Sequence, residues 1–359
     1  MNILRKIICL ATLMQVCMGS PAQDCTHFFP VVYPEKEFAP DTATVCILGD
    51  MMMHAGQIDR GGFDKSLRLI KRHIESSDVA IANMEVTFAG KPYSGYPCFS
   101  APDEYARTTA GAGVDVFLMA NNHILDKGTS GLERTIKLYD SLSVEKGIFH
   151  TGTNGKELYV RANGIKLCLY NATYGTNISY GASSDNRINL LSDSKLTKEA
   201  LNRGSEVSDI VIALPHWGDE YVLTHNQSQR RHAENLAEWG ADLIVGAHPH
   251  VVQDCGTVTT EDGREVHVVY SLGNAVSNMS AENTQLEQMA ILTIVKDPIN
   301  GTKICGMELK WLWCSRPGGF DEWYTVIPVE EYIGRRQEWK NAADYDNMMR
   351  HYHKRTCER

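Results

Sequence analysis

Short apolar runs rich in β-branched residues alternate with amphipathic stretches along most of the chain. Seven of these runs have the length of buried strands, and they lie at residues 44–49, 79–84, 115–120, 165–170, 209–214, 242–247 and 267–272. Apolar residues recur at helical spacing in 64–77 and 129–145, and the stretch 226–240 ends in a glycine, a common helix stop. Strands that alternate with helices predict an α/β fold with a buried sheet.

The pattern changes after Gln288. Residues 288–296, 304–314 and 323–328 follow one another with no helical stretch between them, which predicts antiparallel strands that complete a second sheet. Residues 335–359 have a helical pattern with several bases, and we interpret them as a C-terminal helical tail whose charged face is solvated. Because neither an internal repeat nor a Gly/Ser linker is present, residues 42–334 are predicted to form one domain.

The N-terminus has the pattern of a secretory signal peptide at residues 1–22. Two basic residues, Arg5 and Lys6, precede an apolar run, and a small-residue segment ending at Ala22 marks the predicted cleavage site. Residues 23–41 contain three prolines and are interpreted as a lead-in to the domain.

The rest of the chain is predicted to be exported, to the periplasm or the cell exterior. No segment beyond the signal is apolar enough to span a bilayer, so no transmembrane span is expected in the mature chain. A lipoprotein anchor on Cys17 or Cys25 is the less favoured alternative.

Composition and charge narrow the class of protein. The chain has 359 residues, of which 43% are hydrophobic and 22% charged, as in ordinary globular proteins. The formal net charge is −9, and the predicted signal peptide carries none of the acidic residues. A nucleic-acid partner is not expected, because nucleic-acid binding requires a basic face.

The cysteines do not indicate a metal knuckle or a redox motif, because none of them forms a C-x-x-C pair. Cys46 and Cys168 lie inside apolar strand-like runs and are predicted to be small buried side chains. An oxidising compartment would permit one or two disulfides, for example involving Cys25, Cys305 or Cys357.

Polar and metal-competent residues follow six of the predicted strands. They are Asp50, Glu85, Asn121, Asn122, His123, His216, His248, His250 and Asn274. Ligands of open α/β folds bind at the carboxyl ends of the strands, so these side chains are predicted to converge. Imidazole, carboxylate and carboxamide donors together suit Zn, Mn or Fe better than Ca, and metal-assisted hydrolysis is the chemistry they favour.

Each residue of this set has a structural alternative when taken alone. Asp50 could cap a helix, Glu85 could be a surface charge, and His123 could be a hydrogen-bonded core histidine. His216 could pack against its neighbour Trp217. A serine-triad hydrolase and a nucleotide P-loop are disfavoured, because the chain contains neither G-x-S-x-G nor GxxxxGK[ST].

The motifs that carry these residues resemble the capsule-synthesis protein CapA family, which is associated with poly-gamma-glutamate production. The similar segments are GDMMMH, NME, NNHILDKG, HWGDEY, GAHPHVVQ and YSLGN, in that order between about Val45 and Asn278. The family is similar to the calcineurin-like metallophosphoesterases. The resemblance therefore implies a four-layer α-β-β-α sandwich of metallophosphoesterase type, with the site at the strand ends.

The resemblance also implies roles for single residues. The implied metal ligands, for one or two divalent ions, are Asp50, Glu85, Asn122, His216, His248 and His250. His123 would be the general acid, with Asp126 orienting its imidazole. Substrate or supporting contacts are implied for His54, Asn121, Glu220, Gln253 and Asn274.

One position departs from the superfamily pattern. Its first motif is Asp-x-His, but Met52 stands at the histidine position and His54 lies two residues further on. We therefore expect one metal position formed by Glu85, Asn122, His216 and His248. A second and weaker one is expected from Asp50, Glu85 and His250.

Three functions remain open from the sequence. The favoured one is a metal-dependent hydrolase, phosphoesterase-like, that acts on an anionic polymer or small-molecule substrate of the cell envelope. The alternatives are a non-catalytic protein that binds or tethers poly-gamma-glutamate or another envelope polymer, and a metal-dependent amidase on gamma-glutamyl links.

Overall fold

The computed structural model describes residues 41–179, 187–297, 299 and 301–357. The predicted signal peptide, the anchor cysteines and the lead-in lie outside these residues, except for Asp41, where the first strand begins.

Eight strands form the first sheet. They are β1 (Asp41–Met51), β2 (Val79–Asn83), β3 (Val116–Leu118), β4 (Phe149–Thr151), β11 (Asn274–Val276), β12 (Leu286–Asp297), β13 (Gly301–Ser315) and β14 (Thr325–Pro328). Their order is β14-β13-β12-β1-β2-β3-β4, with β11 paired in parallel to β1. β1 to β4 are parallel, whereas β12, β13 and β14 run as an antiparallel meander from the other side of β1.

Six strands form the second sheet. They are β5 (Leu158–Ala162), β6 (Ile165–Thr173), β7 (Ile210–His216), β8 (Leu243–Val245), β9 (Cys255–Thr259) and β10 (Glu265–Val269), in the order β5-β6-β7-β8-β10-β9. The four central strands are parallel and the two edge strands are antiparallel. The strands after Gln288 are antiparallel as predicted, but they extend the first sheet and do not complete the second. This part of the prediction was wrong.

Helices flank both sheets. They are α1 (Ala55–Arg60), α2 (Lys71–Ser76), α3 (Asp103–Gly111), α4 (Gly128–Lys146), α5 (Ser194–Val207), α6 (Gln227–Glu238), α7 (Val329–Tyr332) and α8 (Ala342–Cys357), with 3-10 turns at Phe63–Lys65 and Arg336–Glu338. α2, α3 and α4 share an apolar cluster with the first sheet, and α5 and α6 share another with the second sheet.

Alternate side chains of β1 enter different apolar layers, as the two-residue period of a strand requires. Val45 and Ile47 join the cluster between the two sheets, whereas Cys46 and Leu48 join the cluster under the helices. The protein is therefore an α/β four-layer α-β-β-α sandwich, which confirms the predicted architecture. Cys46 and Cys168 are buried as predicted.

The predicted helix at 64–77 is shorter than expected. Only Lys71–Ser76 is α-helical, after a 3-10 turn and further turns. The carbonyl of Ser66 accepts a hydrogen bond at 2.9 Å from the backbone N–H of Val326, a residue of β14. An α-helix would use this carbonyl itself, so the tertiary contact replaces the first helical turns.

The C-terminal helix α8 is attached to the first sheet. Tyr345 and Met348 on α8 are buried in a cluster with Trp311 and Trp313 of β13. Among the described residues no disulfide involves Cys305 or Cys357, and Cys25 lies outside them. None of the described helices has the length and hydropathy needed to cross a membrane.

Candidate metal centre

Side chains from both sheets converge where the carboxyl ends of the parallel strands meet. The first sheet contributes Asp50 in β1, Glu85 just after β2, and Asn122 and His123 just after β3. The second sheet contributes His216, the last residue of β7, and His248 and His250, which follow β8. All seven are buried, with exposed fractions between 0 and 3%.

Glu85 lies at the centre of this group. Its Oε1 is 3.7 Å from His216 Nε2, 3.8 Å from His250 Nε2 and 4.0 Å from His123 Nε2. Neither carboxylate oxygen receives a hydrogen bond from a described donor. Burial, and then the charge of Asp50, raises the pKa of Glu85 well above its usual range. An unpartnered carboxylate among imidazoles is costly in a buried site, and a bound cation would remove that cost.

Asp50 is in the opposite electrostatic situation. Its Oδ1 accepts a hydrogen bond from Asn83 Nδ2 at 2.6 Å, and its Oδ2 accepts one from the backbone N–H of His248 at 3.0 Å. Burial alone would raise the pKa of Asp50, but the contact with His250 and the nearby imidazoles lower it to about 2. Asp50 is therefore a carboxylate that remains ionised, as a metal ligand must be.

Two groups of three side chains have the spacing to hold a metal ion. Asp50, Glu85 and His216 form one, and Glu85, His248 and His250 form the other, with the ligand atoms of each group within 4.8 Å of one another. Glu85 belongs to both. Mixed imidazole and carboxylate donors fit Zn, Mn or Fe. The grouping differs from the one expected from the sequence, because His216 lies with Asp50 and His248 lies with His250.

His216 is fixed at both ring nitrogens. Its Nε2 is 2.9 Å from Asn122 Oδ1, and its Nδ1 is 3.1 Å from Asn83 Nδ2. Burial lowers the pKa of His216 to about 3, so the imidazole is neutral, the form that binds metal. Asn83 was missed by the sequence reasoning. Its signals were its place at the end of an apolar run and at the start of the NME segment.

His123 is paired with Asp126. The ring Nδ1 is 2.7 Å from Asp126 Oδ2, and the same oxygen accepts a hydrogen bond from the backbone N–H of Phe99 at 2.7 Å. The ring of Phe99 packs edge-on against the imidazole, with a centroid distance of 4.6 Å. Asn121 supports the turn, since its Oδ1 accepts from the His123 N–H and its Nδ2 donates to the Met84 carbonyl.

Asn177 is a second residue that the sequence reasoning missed. Its backbone N–H donates to the carbonyl of Asn122 at 2.9 Å, and its side-chain Nδ2 is 3.3 Å from His123 Nδ1. Asn177 lies in the loop after β6, where no periodic pattern or motif distinguishes it from other loop residues.

Asn274 and Gln253 have different surroundings. Asn274 Oδ1 is 2.9 Å from His250 Nδ1, so this amide orients a candidate ligand. Gln253 accepts from Gln229 and donates both amide protons to the carbonyls of Val222 and Thr224. Its side chain therefore supports the loop after β7, and no amide proton remains for a substrate.

His54 and Glu220 lie at the margins of the centre. His54 Nδ1 is 3.1 Å from Gln57 Oε1 and 3.3 Å from the N–H of Asn278, and burial lowers its pKa to about 4. It joins neither group of candidate ligands. Met52 is buried in the apolar cluster under the first sheet. Glu220 is exposed, and its charge is one of those that raise the pKa of Glu85.

The backbone that carries two of the histidines is strained. His248 has a φ angle of 100° and His250 one of 58°, in the left-handed region that favours glycine. Such residues cost on the order of 1–3 kcal/mol each and persist where the surrounding contacts enforce them. Here the bond from the His248 N–H to Asp50 is one of those contacts.

A family model described as bacterial capsule synthesis protein PGA_cap matches residues 44–279, more than half of the chain. The chain belongs to this family. The matched PGA_cap region contains every residue of the metal centre, from Asp50 to Asn274, whereas β12 to β14 and α8 follow it.

Two Bacillus proteins are similar to this PGA_cap member. Capsule biosynthesis protein CapA of Bacillus anthracis is 28% identical over 274 residues, which cover 71% of this chain and 64% of that protein. PGA biosynthesis protein CapA of Bacillus subtilis (strain 168) is 25% identical over 264 residues, 70% of this chain and 67% of that protein. The chain thus matches somewhat under two thirds of the length of the first relative.

Among solved structures, Haemophilus influenzae NAD nucleotidase (NadN) is similar with a TM-score of 0.46 and 13% identity. The similarity covers 76% of this PGA_cap chain and 52% of that chain.

Proposed function

We propose that the protein is an exported, metal-dependent hydrolase that cleaves a phosphoester in the metabolism of a capsular or other cell-envelope polymer. The observation that carries the proposal is Glu85, a fully buried carboxylate without a hydrogen-bond donor among the described residues, within 4.0 Å of three imidazole Nε2 atoms. Such an arrangement is costly for the fold alone, and it suits one or two divalent ions.

The residues that would hold the metal are Asp50, Glu85, His216, His248 and His250, with the amide oxygen of Asn122 beside His216. A divalent cation bound there would supply Lewis-acid polarisation of the scissile group and favour a water nucleophile. Asn83 and Asn274 would keep Asp50, His216 and His250 in their orientations.

His123 is the proposed proton donor to the leaving group. As an imidazolium, His123 would donate one proton from Nδ1 to Asp126 Oδ2 in a hydrogen bond, and the proton on Nε2, the nitrogen that faces Glu85, would pass to the leaving group. This pair favours a hydrolase over a protein that only binds or tethers a polymer. A tethering role would not require an imidazole buried beside the metal ligands and aligned by a carboxylate.

The biological setting of the proposal comes from the relatives, whose names refer to capsule biosynthesis and PGA biosynthesis. Export is supported by the signal-like N-terminus. The amidase alternative uses the same residues, and a panel of phosphoesters and gamma-glutamyl amides separates the two reactions.

The Glu85→Gln variant tests the proposed centre. Because Glu85 belongs to both ligand groups, the variant should lose all tight metal binding, whereas His248→Ala should lose only one group. Without metal, Glu85→Gln should melt at the same temperature as the wild type or higher, since a neutral amide is cheaper to bury than a carboxylate.

The measurements are metal content by mass spectrometry and thermal unfolding with and without a chelator. His353→Asn, at an exposed position of α8, is the control. Full metal content in Glu85→Gln, or a metal-free wild type that no cation stabilises, would refute the centre.

A further inference from the structure

Two exposed tyrosine rings lie beside the candidate metal ligands. The ring centroid of Tyr174 is 4.7 Å from that of His248 and 6.5 Å from that of His216, to which it is nearly parallel. The ring of Tyr221 is 6.2 Å from that of His250. Tyr174 is 46% exposed and Tyr221 is 44% exposed, so both rings present a surface to solvent at the mouth of the centre.

Backbone hydrogen bonds attach both tyrosines to the segments that carry the histidines. The N–H of Tyr174 donates to the carbonyl of His216 at 2.9 Å, and the N–H of Tyr221 donates to the carbonyl of Pro249 at 2.8 Å. Tyr221 also has a φ angle of 66°, a conformation that a tyrosine rarely adopts. The backbone of both tyrosines is therefore attached to the segments of the centre, which keeps their rings beside the histidines.

A third exposed tyrosine lies near the margin of the centre. Tyr96 is 72% exposed, and Gly95, the residue before it, lies against the backbone of His54. Val222, which follows Tyr221 in the chain, is 43% exposed. We call Tyr96, Tyr174 and Tyr221 the tyrosine rim.

The charge beside the tyrosine rim is negative. Glu220, the residue before Tyr221 in the chain, is an exposed carboxylate. This surface would repel a polyanion, whereas an uncharged ring could stack on the tyrosines. If that ring carried hydroxyl groups, they could donate hydrogen bonds to Glu220 and to the exposed amide of Asn177.

We propose that the tyrosine rim is the subsite for an uncharged pyranose ring whose phosphate is placed at the metal centre. The inference rests on the proposed phosphoester hydrolase and names its substrate class, a sugar phosphate or a glycosyl phosphodiester. Pyranose rings have apolar C–H faces that pack on aromatic faces, and their hydroxyls require polar acceptors around them. Tyr174 and Tyr221 supply the aromatic faces, with ring centroids within 7 Å of those of the imidazoles, and Glu220 and Asn177 supply the polar groups.

The test compares Tyr174→Ala and Tyr221→Ala with the wild type, using the full metal-loaded chain and a panel of hexose 1-phosphates. Each variant should raise KM about tenfold, the size of one lost aromatic contact, with kcat and metal content unchanged. KM for glycerol 2-phosphate, which lacks a ring, should not change. Tyr174→Phe and Tyr221→Phe, which keep the rings, should remain close to the wild type. Ile333→Ala is the control at a similarly exposed apolar residue.

A second measurement does not depend on turnover. Saturation-transfer NMR should detect binding of a hexose 1-phosphate to the wild type and its loss in the double variant Tyr174→Ala/Tyr221→Ala. If hexose phosphates bind through the tyrosines but nothing is hydrolysed, the proposed hydrolase fails and the sugar subsite stands. If the alanine variants bind and turn over hexose phosphates as the wild type does, the subsite is refuted. The sugar subsite would also be refuted if the alanine variants impaired binding of adenosine monophosphate or oligo-γ-glutamate but not of hexose phosphates.

Discussion

At the scale of single residues, the centre combines two carboxylates in opposite electrostatic states. Asp50 receives two hydrogen bonds and has a pKa of about 2, whereas the pKa of Glu85, which receives none from a described donor, is raised well above its usual range. Nearby carboxylates in a protein interior commonly separate in this way, and such pairs mark functional sites.

His123 gives the first prediction at this scale. The His123→Asn variant should keep its metal and lose turnover by about 10²-fold or more, because the proton donor to the leaving group is removed. Asp126→Asn should have a smaller effect in the same direction, since the imidazole remains but its orientation is lost. Steady-state kinetics and metal content on the same samples measure both effects. Unchanged turnover in His123→Asn would exclude this residue from the reaction.

At the scale of elements, the centre depends on the close approach of β1 and β11. A Cβ atom on Gly49 would overlap the backbone carbonyl of Gly273, which accepts a hydrogen bond from the N–H of Asp50 at 3.1 Å. Glycine is therefore required at this position for steric reasons, and the contact places Asp50 next to Asn274.

We predict that Gly49→Ala destabilises the fold by about 1–3 kcal/mol and weakens metal binding, because β1 must move away from β11. The matched control is Gly111→Ala at the end of α3, where a Cβ would meet no atom within 4 Å. This control should be neutral or stabilising by up to about 1 kcal/mol. Urea unfolding of the metal-free proteins compares the two, and equal stabilities would contradict the steric argument.

The elements also show what could be predicted from the sequence. Each of the seven apolar runs overlaps a strand, because burial on both faces leaves a short, continuous apolar signal. The prediction of a helix over 64–77 was wrong for its first half, because the backbone N–H of Val326, far along the chain, donates a hydrogen bond to the carbonyl of Ser66. The sheet joined by β12, β13 and β14 could not be predicted, since pairing with β1 depends on three-dimensional neighbours and not on local pattern.

Candidate ligands that lie in sequence motifs could be predicted. Single asparagines that hold those ligands in place could not. The H-x-H pair that follows an apolar run, His248 and His250, indicates a crevice from the sequence alone. Asn83 and Asn177 are ordinary strand-end and loop residues in the sequence. Their importance comes from contacts with residues 33 to 133 positions away, which a linear pattern does not contain.

At the scale of the whole molecule, α8 is an integral part of the sandwich. Met348 on α8 is fully buried with Trp311 and Trp313, whereas Lys354 on the same helix is exposed. The helical tail predicted from the sequence therefore has an apolar face that the first sheet covers, besides its solvated charged face.

We predict that Met348→Ala lowers the free energy of unfolding by about 2–5 kcal/mol, the usual cost of a large-to-small change in a core. Lys354→Ala, the control on the same helix, should change it by less than about 0.5 kcal/mol. Both proteins should unfold in one transition when followed by tryptophan fluorescence. A separate early transition of α8 would mean that the helix is only loosely attached.

The candidate metal centre joins parts of the chain that are far apart in sequence. Asp50 and His248 are 198 residues apart and belong to different sheets. In polymer terms, a cation bound by both sheets is a reversible cross-link that closes long chain loops, and the entropy of closing a loop grows only as the logarithm of its length. Metal loss would therefore remove one tie between the two sheets at the edge where their parallel strands end, while the apolar layer between the sheets remains.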